Sequence, residues 1–381
     1  MIKEKLPDGW TEVELGDVLD YEQPTKYIVD SDEYNDDCKT PVLTAGKSFI
    51  LGYTDENEGI YDKLPVIIFD DFTTANKFVT FPFKVKSSAM KLLTLKTKDA
   101  DLKFIFWLMQ TLNVNSITHK RYYLSKYQHI KIILPPLATQ QKIVSILEKA
   151  EKAKGWRKEA DKLTNDLLKS VFLDMFGDPV RNNKKWEIKT IEELSSEIVD
   201  CPHSTPNYVD YVTDFPCIRT TELKDGYIDW KQMKYLDEEG YTKRIKRLIP
   251  IEDDVIYGRE GSFGESARVP TNTRISLGQR VMLFRPKSGV CNSVFLWALL
   301  RSKSIYFQAS KKTSGSTVGH VNIKDIKKFK GICPPIKLQN EFSQIVEKIE
   351  AMRVTQKESK HELENLFNAL MQKAFKGELA V

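Results

Sequence analysis

The chain has 381 residues, 58 basic and 53 acidic side chains, a formal net charge of +5 and 41% hydrophobic residues. That length suits two or three domains, and that composition excludes wholesale disorder. Five cysteines without a Cys-x-x-Cys pair (Cys38, Cys201, Cys217, Cys291, Cys333) argue against a disulfide scaffold or a zinc knuckle, and the lack of a long apolar run or a signal-peptide core makes a soluble cytoplasmic protein the expectation.

Along the chain, charge is unevenly spread. Tyr21 to Asp71 carries 4 basic and 12 acidic residues, Lys77 to Lys131 carries 11 and 2, and Gly258 to Gly331 carries 14 and 3. Two basic blocks in separate halves suggest a polyanionic partner. Short apolar runs punctuated by Gly, Pro and Asp read as strands: Leu64–Phe69 and Phe78–Phe81, then Pro216–Ile218, Asp254–Tyr257 and Arg280–Phe284. A helix is expected around Trp107 and another around Trp297, each followed by a Pro-Pro pair that forces extended backbone.

After each Pro-Pro pair a long helix is expected. Ile143, Ile146, Ala150, Leu163, Leu167 and Val171 recur every three or four residues in the first. Phe342, Ile345 and Ile349, then Leu363, Leu366 and Leu370, do so in the second, interrupted by a polar stretch. Gly177 and Gly377 are plausible stops. A rod of forty residues at 1.5 Å each is about 60 Å long, too long to hide its apolar seam on one small domain. The two seams are therefore expected to pack on each other, leaving the polar stretch to solvent or another protein.

The halves are copies. Trp10 in its context reappears as Trp186 at an offset of 176, Trp107 as Trp297 at 190, and Leu134-Pro135-Pro136-Leu137 as Cys333-Pro334-Pro335-Ile336 at 199. The growing offset places 14 extra residues before the second tryptophan helix and nine after it, as insertions into loops of a shared frame do. The expected fold is α+β: two α/β domains in tandem, separated by two long helices packed as an antiparallel coiled coil with approximate two-fold symmetry. The expected boundaries are 1–136, 137–177, 178–335 and 336–381.

Catalytic patterns are missing. Pro41-Val-Leu-Thr-Ala-Gly46-Lys47-Ser48 lacks the first glycine of a phosphate loop, and proline has no N–H to offer a phosphate. Gly258-Arg-Glu-Gly261-Ser-Phe-Gly264 does not match a dinucleotide fingerprint and reads as an adaptable loop. Five scattered histidines have no metal spacing, and Asp70-Asp71 and Asp253-Asp254 read as turn and strand-edge residues. Two similar domains, each with a basic block, joined by two rods, suit a ruler that holds two readers on a duplex, each copy taking a different half-site.

In this order, and twice over, the motifs resemble those of the type I restriction–modification specificity (S) subunits, across essentially the whole chain. They include Gly9-Trp10…Leu15-Gly16-Asp17-Val18, Pro41-Val-Leu-Thr-Ala-Gly-Lys47, Ile68-Phe-Asp-Asp-Phe72, Leu134-Pro-Pro-Leu-Ala-Thr-Gln140 and Met175-Phe-Gly-Asp-Pro179. The second half supplies Pro202-His-Ser-Thr-Pro206, Cys217-Ile-Arg-Thr-Thr221, Arg259-Glu-Gly-Ser-Phe-Gly264, Gln279-Arg280 and Gln372-Lys-Ala-Phe-Lys-Gly-Glu-Leu379. The resemblance implies a non-catalytic subunit in which two target-recognition domains read the parts of a split double-stranded DNA sequence. The long helices would set the gap and dock two methyltransferase subunits. It implies no cofactor in this chain; S-adenosylmethionine would belong to those adenine-methylating partners, and ATP with Mg to two restriction subunits where restriction is present. Family members often carry a basic or histidine-containing stretch where this chain has Asp70-Asp71-Phe72-Thr73-Thr74, which shifts expected contacts there to Thr73, Thr74, Asn76 and Lys77.

The expected DNA-binding residues of the first half are Lys47, Asn76, Lys77, His119, Lys120, Arg121 and Tyr122. Those of the second are His203, Thr205, Arg219, Arg259, Glu260, Ser262, Gln279 and Arg280, with Lys311, Lys312, Ser316, Thr317 and His320 in the inserted loop. Arg and Lys suit guanine, Asn and Gln adenine, and Glu cytosine. Three other readings stand beside this one: a modification-only or other phage-defence complex, a helical adaptor that ignores DNA, and an enzyme on an unrecognised scaffold.

Overall fold

In the computed structural model the described residues are 7–44, 46, 48–112, 122–260, 264–312 and 321–379. The fold is α+β, and it divides into two units, Met1–Lys158 with Glu358–Val381, and Glu159–Lys357. Each unit therefore contains one half of each long helix, Leu137–Phe176 and Ile336–Lys376. Both helices stop at a glycine in the left-handed region, Gly177 (φ 77°) and Gly377 (φ 74°), a conformation that excludes most side chains.

The units repeat one topology. In the first, a four-stranded sheet runs in the order Leu19–Glu22, Met90–Leu95, Val66–Asp70, Asn76–Val79. In the second the same order is Ser195–Asp200, Val281–Pro286, Val255–Gly258, Ser266–Arg268. A three-stranded sheet accompanies each, with Thr40–Leu43 or Pro216–Ile218 at its centre, paired parallel to Lys84–Val85 or Ser276–Leu277. The alternation of side chains across each large sheet splits two cores. Ile67, Phe69 and Leu93 face the helices, while Val66, Ile68 and Leu92 face the smaller sheet; Val255, Tyr257 and Phe284 oppose Ile256 and Leu283 in the same way.

The repeated Trp and Pro-Pro motifs have mechanical roles. Thr11–Glu14 pairs antiparallel with Lys131–Leu134, and Glu187–Thr190 with Lys330–Cys333, so each domain is closed by its own ends. The Trp107 helix, Leu102–Thr111, is capped by Asp101, and the Trp297 helix, Ser293–Leu300, by Asn292. Gln140, fully buried, accepts from the Asp101 N–H (2.8 Å) and donates to the Asp99 and Pro135 carbonyls. Gln339 repeats this with the Asn292 N–H (2.8 Å) and the Val290 and Pro334 carbonyls. One amide thus locks the start of the long helix to the start of the tryptophan helix.

Within each unit the long helices run antiparallel and share the core. In the first unit Ile143 and Leu147 cluster with Phe367, Met371 and Ala374, and Trp107 packs edge-on to Phe367 at 5.5 Å. In the second, Leu168, Phe172 and Phe176 meet Phe342, Val346 and Ile349, and the Phe176 ring lies 4.9 Å from Phe295. The helices therefore pack on their own domain as well as on each other. Of the expected seam, Ile143, Phe342 and Ile349 are buried, and Ala150, Val171, Ile345 and Leu370 pack at its margin. Ile146 and Leu363 are half-buried. Leu163 (60% exposed), Leu167 and Leu366 are turned outward, a correction to the expected register. The seam at this point uses Leu168, one position along, and a polar contact, Gln356 Nε2 donating to Thr164 Oγ1 at 2.9 Å.

Candidate nucleic-acid interface

At the strand ends of the second unit, seven of the expected residues gather. Arg280 Nε lies 3.1 Å from Glu260 Oε2, and Glu260 Oε1 lies 3.4 Å from an Arg259 terminal nitrogen. Arg259 Nε continues the chain to Asp200 Oδ1 (3.1 Å), and Asp200 Oδ2 faces His203 Nε2 (3.3 Å). Beside them Gln279 Nε2 donates to Thr205 Oγ1 at 3.0 Å. Arg219 pairs with the buried Glu222 and lies 5.6 Å above the Tyr208 ring. The Glu222 hydrogen bond holds the Arg219 guanidinium above its ordinary range, and burial pushes the Tyr208 hydroxyl up to about 12. The exposed members, His203, Thr205 and Arg280, can meet a ligand directly, and Gln279 is half-exposed.

Arg259 is a correction. Its side chain is 6% exposed and committed to Asp200 and Glu260, so it positions its neighbours instead of reaching a base edge. A second positioning residue, Arg244, was not singled out by the sequence. Buried on the helix Glu238–Arg244, it donates to the Ser204 (2.7 Å), Leu277 (2.7 and 2.9 Å) and Gly278 (2.8 Å) carbonyls, tying the loop that bears Thr205 to the loop that bears Gln279. Gly278 is required there: a Cβ would stand 2.6 Å from the Ile218 carbonyl oxygen. Nothing in the local sequence distinguishes Arg244 from the solvated Lys243 and Lys246; only the fold aims it inward.

In the first unit three of the expected residues, Asn76, Lys77 and Tyr122, are among the described ones. Asn76 sits on the outer strand, accepts from the Gln110 amide and donates to the Thr74 carbonyl, with Lys77 half-buried beside it. Asp70 accepts from the Phe72 and Thr73 N–H groups (2.8 and 2.9 Å), which makes Thr73 and Thr74 turn residues; Thr74 has φ 61°. The Tyr122 ring is 1% exposed in the core, which removes it as a direct contact. Lys47, His119, Lys120, Arg121, Ser262, Ser316, Thr317 and His320 lie outside the described residues. Lys312 pairs with Asp325 at 3.1 Å, and Lys311 lines a surface cleft with Val180, Ile188 and Phe307.

Among the described residues no group of three or more His, Cys, Asp or Glu side chains could hold a metal ion, and no helix is long and apolar enough to cross a membrane. A family model described as the type I restriction modification DNA specificity domain matches residues 7–160 and again 183–365. The specificity subunit of the type I restriction enzyme EcoR124I/EcoR124II of Escherichia coli is 33% identical over 373 residues, which covers 92% of this chain and 89% of that one. The MjaVIII specificity subunit of Methanocaldococcus jannaschii is 22% identical over 406 residues, covering 99% and 94%. Among solved structures, a type I restriction–modification S subunit from M. genitalium shares the fold with a TM-score of 0.58 at 14% identity, covering 98% of both chains.

Proposed function

The chain belongs to the type I restriction–modification specificity family, and from that premise we propose that it is the non-catalytic, sequence-reading subunit of such a system. It recognises a bipartite duplex target and directs adenine-N6 methyltransferase and restriction subunits to it. Residues 1–136 and 178–335 are the two readers, and the helices 137–177 and 336–381 set the gap between half-sites. Two methyltransferase subunits supply S-adenosylmethionine, restriction subunits supply ATP with Mg, and the complex works in the cytoplasm.

The observation that carries this reading is a duplicated frame with unlike polar ends. The two large sheets have the same strand order, yet the second ends in the Arg280–Glu260–Arg259–Asp200–His203 chain and, among the described residues, the first has no such chain. A single continuous target would need no second copy, and a palindrome would need identical ones. Partner docking on the helices is supported by their exposed apolar side chains, Trp156 (65%), Leu163 and Val354 among them.

The test is a methylome. The chain is co-expressed with its methyltransferase subunit in a host without DNA methylation, and N6-methyladenine is mapped. Two short, different half-sites with a constant gap are expected, and exchanging residues 195–333 for those of a relative should change one half only. A single continuous motif, or no modification, overturns the reading.

A further inference from the structure

The backbone matches the two units residue by residue. Asp70 stands opposite Met90, and Gly258 opposite Val281. One residue on, the Asp71 N–H donates to the Ala89 carbonyl (3.1 Å) and the Arg259 N–H to the Arg280 carbonyl (3.0 Å). The chain then returns in the same way, the Tyr122 N–H donating to Asp71 O and the Val321 N–H to Arg259 O, both at 3.1 Å. Leu92 lies between Ile68 and Glu22 as Leu283 lies between Ile256 and Val199. Asp71 therefore occupies the place of Arg259, Gln23 that of Asp200, Lys91 that of Met282, and Phe72 that of Glu260.

In the first unit these positions border a cleft of about 400 Å³ lined by Gln23, Thr25, Phe72, Ser87 and Ser88. Its floor is the buried pair Asp71–Lys91 at 3.1 Å, side chains 4% and 2% exposed, with Asp71 Oδ1 also accepting the Tyr123 N–H at 2.9 Å. The floor's charges cancel, so it does not offer a phosphate the net positive charge that backbone contacts use. The walls instead offer an amide and three hydroxyls, and Phe72 exposes 44% of its surface at the rim. An amide can bond adenine N6 and N7 at once, and an aromatic edge packs on the thymine methyl; both lie in the major groove of one base pair.

We propose that this cleft, which the second unit's polar chain matches position for position, is where the first unit reads its half-site, with Gln23 and Phe72 selecting an adenine–thymine pair. This rests on the bipartite reading above. The surrounding Ser87 and Ser88 contact neighbouring base edges, while the Asp71–Lys91 pair holds the turn that presents Phe72.

The test is the methylome of complexes carrying Gln23→Ala, Phe72→Ala or Ser88→Ala, all exposed positions, with assembly on the methyltransferase subunit verified for each by gel filtration. The expected result is a wild-type split motif with A·T at one position of one half, at which Gln23→Ala and Phe72→Ala each lose roughly tenfold in discrimination. The other half should be unchanged in the same variants. An unchanged motif overturns this inference alone, and so does uniformly slower methylation at every site, which marks a phosphate contact or a structural role. A wild-type complex without a split motif removes both readings together.

Discussion

The buried cations of the first unit are lysines and those of the second are arginines. Lys84 meets Glu56 (2.6 Å) and the Glu58 carbonyl (2.7 Å), and Lys91 meets Asp71. In the second unit Arg244 binds three carbonyls and Arg259 two carboxylates. An ammonium is a compact point charge satisfied by a near carboxylate, whereas a guanidinium is a planar fork that joins several segments. The buried cations stand at different places of the shared frame, and their type decides how the loops are held. Local ion pairs hold them in the first unit and guanidiniums with several partners do so in the second, which leaves a neutral cleft in one unit and a charged chain in the other.

The largest expected effect tests that contrast in the first unit. Lys91→Ala leaves Asp71 as an uncompensated buried charge, and the expected loss of stability is about 3–5 kcal/mol. Lys91→Met with Asp71→Asn, closer to the second unit's Met282, should recover most of it. Hydrogen exchange resolves the units: the amides of Val66–Asp70 should lose protection in Lys91→Ala, while those of Val255–Gly258 keep theirs. Equal loss in both strands, or a change below about 1 kcal/mol, breaks the contrast.

Next in size is a pair of adjacent leucines, which also marks how far the sequence could be read. Leu168→Ala is expected to cost about 2–5 kcal/mol and Leu167→Ala about 0.5 kcal/mol or less, measured by urea unfolding. Three-to-four spacing located the helix but left its phase open. Leu163 and Leu167 fit the spacing as well as Leu168 does, and only the aromatic cluster of Phe172, Phe176 and Phe342 selects the face. The duplication, the tryptophan helices and the strand cores were legible because each is a local pattern repeated twice. The candidate site was legible only in the second unit, where Arg, Glu, Gln and His are conspicuous residue types. Gln23, Ser87 and Ser88 are ordinary loop residues, and what makes them a site is a sheet that brings positions more than sixty residues apart to one cleft.

Arg244→Met carries the comparison into the second unit. Losing the charged hydrogen bonds to Ser204, Leu277 and Gly278 should cost about 2 kcal/mol. The methylome should then lose definition in the second half-site while the first stays sharp. A smaller effect belongs to the first unit and to pH. Burial alone would raise the Glu56 carboxyl, but the Lys84 bond and the Ser31 and Asp30 N–H groups outweigh it and hold it below its ordinary 4.5. A depressed folded value gives stability that is present above about pH 4.5 and lost as pH falls through the folded value. Glu56→Gln should therefore flatten the acid side of the first unit's stability profile below pH 4.5 and barely change its shape above.

The smallest effect on stability is the most telling for function. Arg280 is exposed, its side chain 58% open to solvent, and it pairs with Glu260 at 3.1 Å; such a pair contributes about 0–1 kcal/mol to folding. Arg280→Ala should leave unfolding essentially unchanged. If Arg280 reads a base, the same substitution costs about 1–3 kcal/mol of binding and relaxes one position of the second half-site. If it only neutralises phosphate, methylation weakens at all sequences alike and the salt dependence of DNA binding falls by about one unit of slope. Arg280 has φ 66°, in the region that disfavours side chains other than Asn, Asp and Gly, and its carbonyl is the one that accepts the Arg259 N–H. A large side chain kept in that conformation at the open end of a polar chain costs folding energy that a solvated ion pair does not return, so the specificity change is the expected outcome.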